Sequence, residues 1–131
     1  MADLHTVSPE AHDVEAALSP DFRPWGWYAV LGEPDHEPIA AVKLLRVEPG
    51  GMLSLQTHQL RRERWMPVTP GLGAIIGEQT FELQIGCVYD IGVGVPHRLF
   101  DMAGSGGSVV ETMYGTYDED DIIRLKDEYH R

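Results

Sequence analysis

The sequence predicts an all-β fold, an antiparallel sandwich or barrel, with a short helix at each end. Three observations predict it. Fourteen Gly and nine Pro punctuate 131 residues, which favours short strands over long helices. Between these breaks lie runs rich in branched and aromatic residues. The turn signals recur about every ten residues, the spacing of sandwiches and barrels.

The first element is a helix over residues 8–18, SPEAHDVEAAL. Ser8 suits the N-cap, Pro9 the first helical position, and acids fill the early turns. Pro20 and Pro24 then break the chain, so residues 1–22 read as a helical extension. From Trp25 the strands follow: WGWYAVL, IAAVKLLRV, GMLSLQTH, RWMPV, GAIIG, QTFELQI, CVYDIG, HRLF and SVVETMYGTY. The ending DEDDIIRLKDEY reads as a second helix, opening on acids and carrying Lys126 late. Residues 23–131 thus read as one domain, which suits the length.

Apolar residues make up 43%, ordinary for a globular protein and against disorder. The single cysteine, Cys87, cannot build a disulfide framework and points to a reducing compartment, the cytoplasm. Its place beside Val88 reads as packing. The N-terminus lacks the basic-then-apolar order of a signal peptide, and no apolar run is long enough to span a membrane. The net charge of −11 argues against nucleic acid and other large anions as partners. The acidity belongs to the ends, however. Residues 38–117 hold seven acids and six bases, so a small anion can bind there.

The stretch LSLQTHQLRRERW, residues 53–65, carries the chemistry. Residues two apart in a strand face the same way, so Gln56 and His58 project together with Ser54. Glu63 is an odd number of residues further on, and one straight strand would point it away. The polar run 59–62 predicts a turn, with Glu63 returning on the adjacent antiparallel strand. His97 follows a Gly-rich turn. An amide oxygen, two imidazoles and a carboxylate suit zinc, nickel, manganese or ferrous iron. Each residue alone has a plainer reading. A half-buried strand histidine is usually a packing residue, Gln56 reads as a solvated face, and spacing leaves the two accounts evenly matched. Arg61, Arg62 and Arg64 read equally as strand-edge charges, and Lys43 as solvent-facing. Trp25, Trp27 and Trp65 read as core.

Residues 50–71, G-G-M-L-S-L-Q-T-H-x4-E-x7-G, resemble the first cupin motif, and residues 86–101, GCVYDIGVGVPHRLFD, the second. Gln56 stands where that motif has its first histidine, Gly71 comes one residue late, Gly92 replaces a proline and Asp101 an asparagine. The segments RPWGWY (23–28), KLLRVEPGGMLSLQTHQLRRERW (43–65), GVPHRL (94–99) and EDDIIRLKDEYHR (119–131) narrow the match. Together they resemble type II mannose-6-phosphate isomerases, which also form the C-terminal domain of bifunctional mannose-1-phosphate guanylyltransferases. The chain differs from that pattern at Arg64, where the family usually has histidine, and at Thr112 and Met113, where it has Val-Gln. No Gly-rich pyrophosphate motif precedes Arg23, so guanylyl transfer is not expected.

The resemblance implies a cupin double-stranded β-helix and an aldose–ketose isomerase acting on a sugar phosphate, mannose 6-phosphate foremost. It implies one divalent ion on Gln56, His58, Glu63 and His97, zinc first, with nickel, manganese and iron as alternatives. Such an ion polarises a carbonyl and its neighbouring hydroxyl. Glu111 is the first candidate for the base and Glu63 the second. Lys43, Arg61 and Arg98 are candidates for the phosphate. Exposed barrel strands suggest a homodimer. Fold alone does not choose the chemistry. The alternative is a non-isomerase cupin: a sugar- or metal-binding module, or a dioxygenase, epimerase or lyase on a related small molecule.

Overall fold

The structure is a computed structural model and describes residues 19–32 and 39–130. The helix expected over residues 8–18 lies outside the described residues. The strands are β1 (Asp21–Arg23), β2 (Gly26–Gly32), β3 (Ile39–Val47), β4 (Leu55–Thr57), β5 (Arg61–Pro67), β6 (Leu72–Ile76), β7 (Gln79–Glu82), β8 (Tyr89–Ile91), β9 (His97–Asp101), β10 (Gly107–Gly115) and β11 (Ile123–Lys126). One sheet has the order β1-β2-β3-β10-β5-β8, the other β11-β4-β9-β6-β7. The pairings are antiparallel.

Between β3 and β6 the chain changes sheet at every connection, and again from β7 to β11. Two facing sheets are thereby wound from one ribbon. The all-β expectation holds, but the hairpin expected around Gln59–Arg62 does not form. β4 and β5 belong to different sheets, and the turn is confined to residues 58–60. Arg61 and Arg62 are already strand. Glu63 therefore meets Gln56 and His58 across the gap between sheets.

The core follows period-two alternation. Leu45 and Val47 from β3, Trp65 from β5, Leu72 and Ala74 from β6, Leu99 from β9 and Val109 from β10 are all buried in one cluster. Trp25 and Trp27 are 5% and 4% exposed, so the tryptophans pack as the sequence suggests. Cys87 is exposed and does not pack. Gly26 opens β2 at φ +153°, where a Cβ would run into the carbonyl oxygen of Arg46.

The C-terminal helix is also not formed. β11 instead adds to the free edge of β4, with Ile123 opposite Thr57 and Arg124 opposite Gln56. The acids before it make turns: Asp121 N–H donates to Asp118 O, and Asp120 N–H to Asp118 Oδ1. Ile123 and Leu125 are more than half exposed, so no apolar helical face was available to bury. An open sheet edge satisfies the backbone better than a short amphipathic helix in water.

Candidate metal centre

The inward faces of β3, β5 and β10 change character along their length. At one end they carry Leu45, Val47, Trp65, Pro67 and Val109. At the other they carry Lys43, Glu63, Arg61 and Glu111, all buried. Register explains the grouping. Glu111 on β10 faces Lys43 on β3 and Trp65 on β5, and Met113 faces Glu63. From the second sheet come Gln56 and His97, which pair directly across β4 and β9 and so share a face.

His58, Glu63 and His97 each bring a ligand atom to within 4.8 Å of the others, the group of this kind among the described residues. Glu63 Oε1 lies 3.0 Å from His97 Nε2 and 3.6 Å from His58 Nε2. The hydrogen bonds on the far side of each ring fix its tautomer. His97 Nδ1 meets the carbonyl of Val95 at 2.9 Å, and His58 Nδ1 that of Asp121 at 2.6 Å. A carbonyl only accepts, so both rings carry a proton on Nδ1. In a neutral His97, Nε2 then offers a lone pair to another acceptor, Glu63 Oε1. That pair is close but not aligned as a hydrogen bond, and both atoms are buried without a partner. Two such acceptors side by side call for positive charge between them. A divalent cation fits this donor set, two imidazoles and a carboxylate. Gln56 lines the adjoining wall, where its amide oxygen can add a fourth donor.

The electrostatics show the same demand for positive charge, which in the absence of a metal a proton on His97 would meet. Burial alone would raise Glu63, but His97, His58 and Arg61 hold it down to about 2. Burial opposes a proton on His97, yet Glu63 prevails and raises it. Burial pushes His58 down against the pull of Glu63. Glu111 goes the other way. Burial, and then the Glu63 charge, raise it to about 7 against the pull of Lys43. Trp65 Nε1 donates to its Oε2 at 2.8 Å and fixes its position. Burial lowers Lys43, with Glu111 opposing. Its ammonium sits 4.3 Å from the ring centres of both Tyr28 and Tyr117, a cation–π clamp.

These groups border a cavity. Its inner part, about 110 Å³, is lined by Lys43, Gln56, His58, Arg61, Glu63 and Glu111 among others. The outer part, about 410 Å³, adds Arg23, Ser54, Tyr117, Glu119 and Arg124. Arg61 is held inward: Nε donates to Glu63 Oε2 at 3.1 Å and Nη2 to His58 Nε2 at 3.2 Å. Arg98 is elsewhere. It follows His97 in β9 and so points to the opposite face of the sheet. Its Nε donates to Leu53 O at 2.8 Å and its Nη2 to Lys126 O at 3.1 Å. The expectation that Arg98 lies at the site is corrected by that alternation. Sequence reasoning missed Arg23, Arg124 and Asp121. Arg23 stands in RPWGWY and Arg124 and Asp121 in EDDIIRL, but reading the ending as a helix hid what it could reach.

Residues 10–127 match the sequence profile of the family described as Mannose-6-phosphate isomerase C-terminal. The xanthan biosynthesis protein XanB of Xanthomonas campestris pv. campestris is 36% identical over 111 residues, covering 84% of this chain and 23% of that protein. A mannose-1-phosphate guanylyltransferase of Klebsiella pneumoniae is 35% identical over 112 residues, with the same coverage of 84% and 23%. The chain thus spans under a quarter of the length of these relatives. In solved structures, a cupin-2 domain of Rhodospirillum rubrum superposes with a TM-score of 0.60 at 17% identity, covering 72% of this chain and 67% of that one. Two facing sheets, candidate ligands drawn from both, and a profile match over most of the chain lead to one conclusion: the chain has the cupin fold and belongs to the mannose-6-phosphate isomerase C-terminal family.

Proposed function

We propose that the chain is a metal-dependent aldose–ketose isomerase that interconverts mannose 6-phosphate and fructose 6-phosphate. One observation carries the reading. A buried carboxyl raised to about 7, Glu111, borders the same small cavity as His58 and Glu63, two members of the donor set that His97 completes. Isomerisation needs a base beside a site that stabilises negative charge on two adjacent oxygens.

Glu111 in its ionised form takes the proton from C2 of the aldose and returns it to C1, while the hydroxyl proton passes from O2 to O1. A base with a pKa near the working pH is suited to both halves of this transfer. The indole of Trp65 keeps its carboxylate aimed at the cavity. His58, Glu63 and His97, with Gln56 alongside, would hold the divalent ion, zinc first. When bound, that ion supplies Lewis acidity toward the carbonyl and hydroxyl oxygens. Lys43, Arg61, Arg23 and Arg124 give the cavity the cationic lining that a phosphate requires.

The test is a coupled isomerase assay on metal-stripped protein, before and after zinc, nickel, manganese or ferrous iron is restored. The proposal expects turnover of mannose 6-phosphate that depends on the ion. Saturable sugar-phosphate binding without turnover would make the domain a binding module. Oxygen uptake in the assay would make it an oxygenase.

A further inference from the structure

His58 is held by a part of the chain distant in sequence. Asp121 grips the 58–60 turn in two ways. Its carboxylate accepts the backbone N–H of Gln59 at Oδ1 and of Leu60 at Oδ2, each at 2.9 Å. Its main-chain carbonyl accepts from His58 Nδ1 at 2.6 Å. On the other side of the ring Arg61 Nη2 can only donate to Nε2. Both contacts demand the same tautomer, a proton on Nδ1 and a lone pair on Nε2.

Asp121 is itself anchored. Its N–H donates to Asp118 O, and β11 follows it onto the edge of β4. Arg98 rivets the far end of that strand through Lys126 O, and Met52 N–H donates to the hydroxyl of Tyr129. The arm 118–129 is therefore tied down on both sides of the point where it touches the ligand.

We infer that Asp121 is a positioning residue of the metal centre. By gripping the 58–60 turn it fixes the His58 tautomer with its lone pair on Nε2, the atom a divalent ion would take in place of Arg61, which makes the C-terminal arm a working part of the centre. The inference rests on the metal reading above, so its test does not use turnover. Outer-shell partners of histidine ligands typically contribute about 10- to 100-fold in metal affinity.

The experiment uses the full chain after metal removal, at pH 8, with long-range proton–nitrogen NMR of the imidazoles. Wild-type His58 is expected as a single species protonated on Nδ1. In Asp121→Ala the two tautomers should mix, and zinc affinity, read by competition with a chromophoric chelator, should fall about 10- to 100-fold. Asp121→Asn keeps one oxygen acceptor and should recover part of both. Wild-type His58 protonated on Nε2 would overturn the inference. So would Asp121→Ala with an unmixed Nδ1–H tautomer and wild-type zinc affinity. If Asp121→Ala does not fold, the wild-type tautomer and Asp121→Asn decide. If the wild type binds no zinc or other divalent ion, the metal reading fails, and the tautomer comparison still decides the role of Asp121.

Discussion

Glu63 and Glu111 are diagonal neighbours on β5 and β10, and their protons are held in opposite ways. Burial acts upward on both. Glu63 has His97, His58 and Arg61 around it and falls to about 2. Glu111 has Lys43 to oppose burial but also feels Glu63, and rises to about 7. One carboxylate is thus fit to be a ligand and the other a base. The rate should rise with pH through about 7 as Glu111 ionises. Glu111→Gln should lose roughly 10²- to 10⁴-fold in kcat and keep its metal, as a pH–rate profile and metal analysis will report. Stability has the opposite sign. Glu111 titrates at 4.5 in its ordinary state and about 7 in the fold, so the fold holds the extra proton. That contribution is complete below pH 4.5 and is lost as pH rises through about 7. The melting temperature of Glu111→Gln should gain on wild type across that window.

At the scale of elements, β9 and β11 decide where the arginines act. Alternation places His97 inward and Arg98 outward, and Arg98 binds the carbonyls of Leu53 and Lys126. Arg98→Ala should destabilise the fold by roughly 2–4 kcal/mol, since two charge-assisted bonds go and a buried carbonyl is left unmet. Its preference for sugar phosphate over free sugar should not change. Arg124 lines the outer cavity, so Arg124→Ala should raise the Michaelis constant for sugar phosphate about 10- to 100-fold with little change in melting. Michaelis constants for both ligands, beside thermal unfolding, separate the two arginines. Gly26→Ala, which drives a methyl into Arg46 O, should destabilise by roughly 2–4 kcal/mol in a denaturant titration.

The strands are legible in the sequence because they follow period two, whereas the candidate donor set comes from the resemblance to the cupin motifs, spacing alone leaving it evenly matched with packing residues. Gln56 and His58 are two apart, and Lys43, Glu63 and Glu111 fall on the same parity as the core residues of their strands. The switch of sheet between β4 and β5 is not legible, because a polar turn looks the same whether it closes a hairpin or crosses a sandwich. The direction of Arg98 follows from His97 by alternation, yet adjacency in sequence suggests proximity. The ending DEDDIIRLKDEY carries helix signals, and only the open edge of β4 makes a strand the better use of it.

Over the whole molecule, the net charge of −11 and the outer cavity, where Arg23, Lys43, Arg61 and Arg124 outnumber Glu119 and Asp120, would act on a phosphate dianion in opposite directions. The long-range part is screened within ~8 Å at physiological salt, so on the proposed function the lining would decide binding at contact and the bulk charge would slow approach. The two sheets make this arrangement possible. One brings Lys43, Glu63 and Glu111, the other Gln56 and His97, and the centre exists only where they face each other. Metal content and turnover of mannose 6-phosphate, measured together on wild type, His97→Ala and Glu111→Gln, test that claim most directly. The account predicts one divalent ion and turnover in wild type, neither in His97→Ala, and the ion without turnover in Glu111→Gln. Wild-type protein that turns over mannose 6-phosphate equally well after its metal is stripped, or that never turns it over with any of the four ions bound, would contradict it.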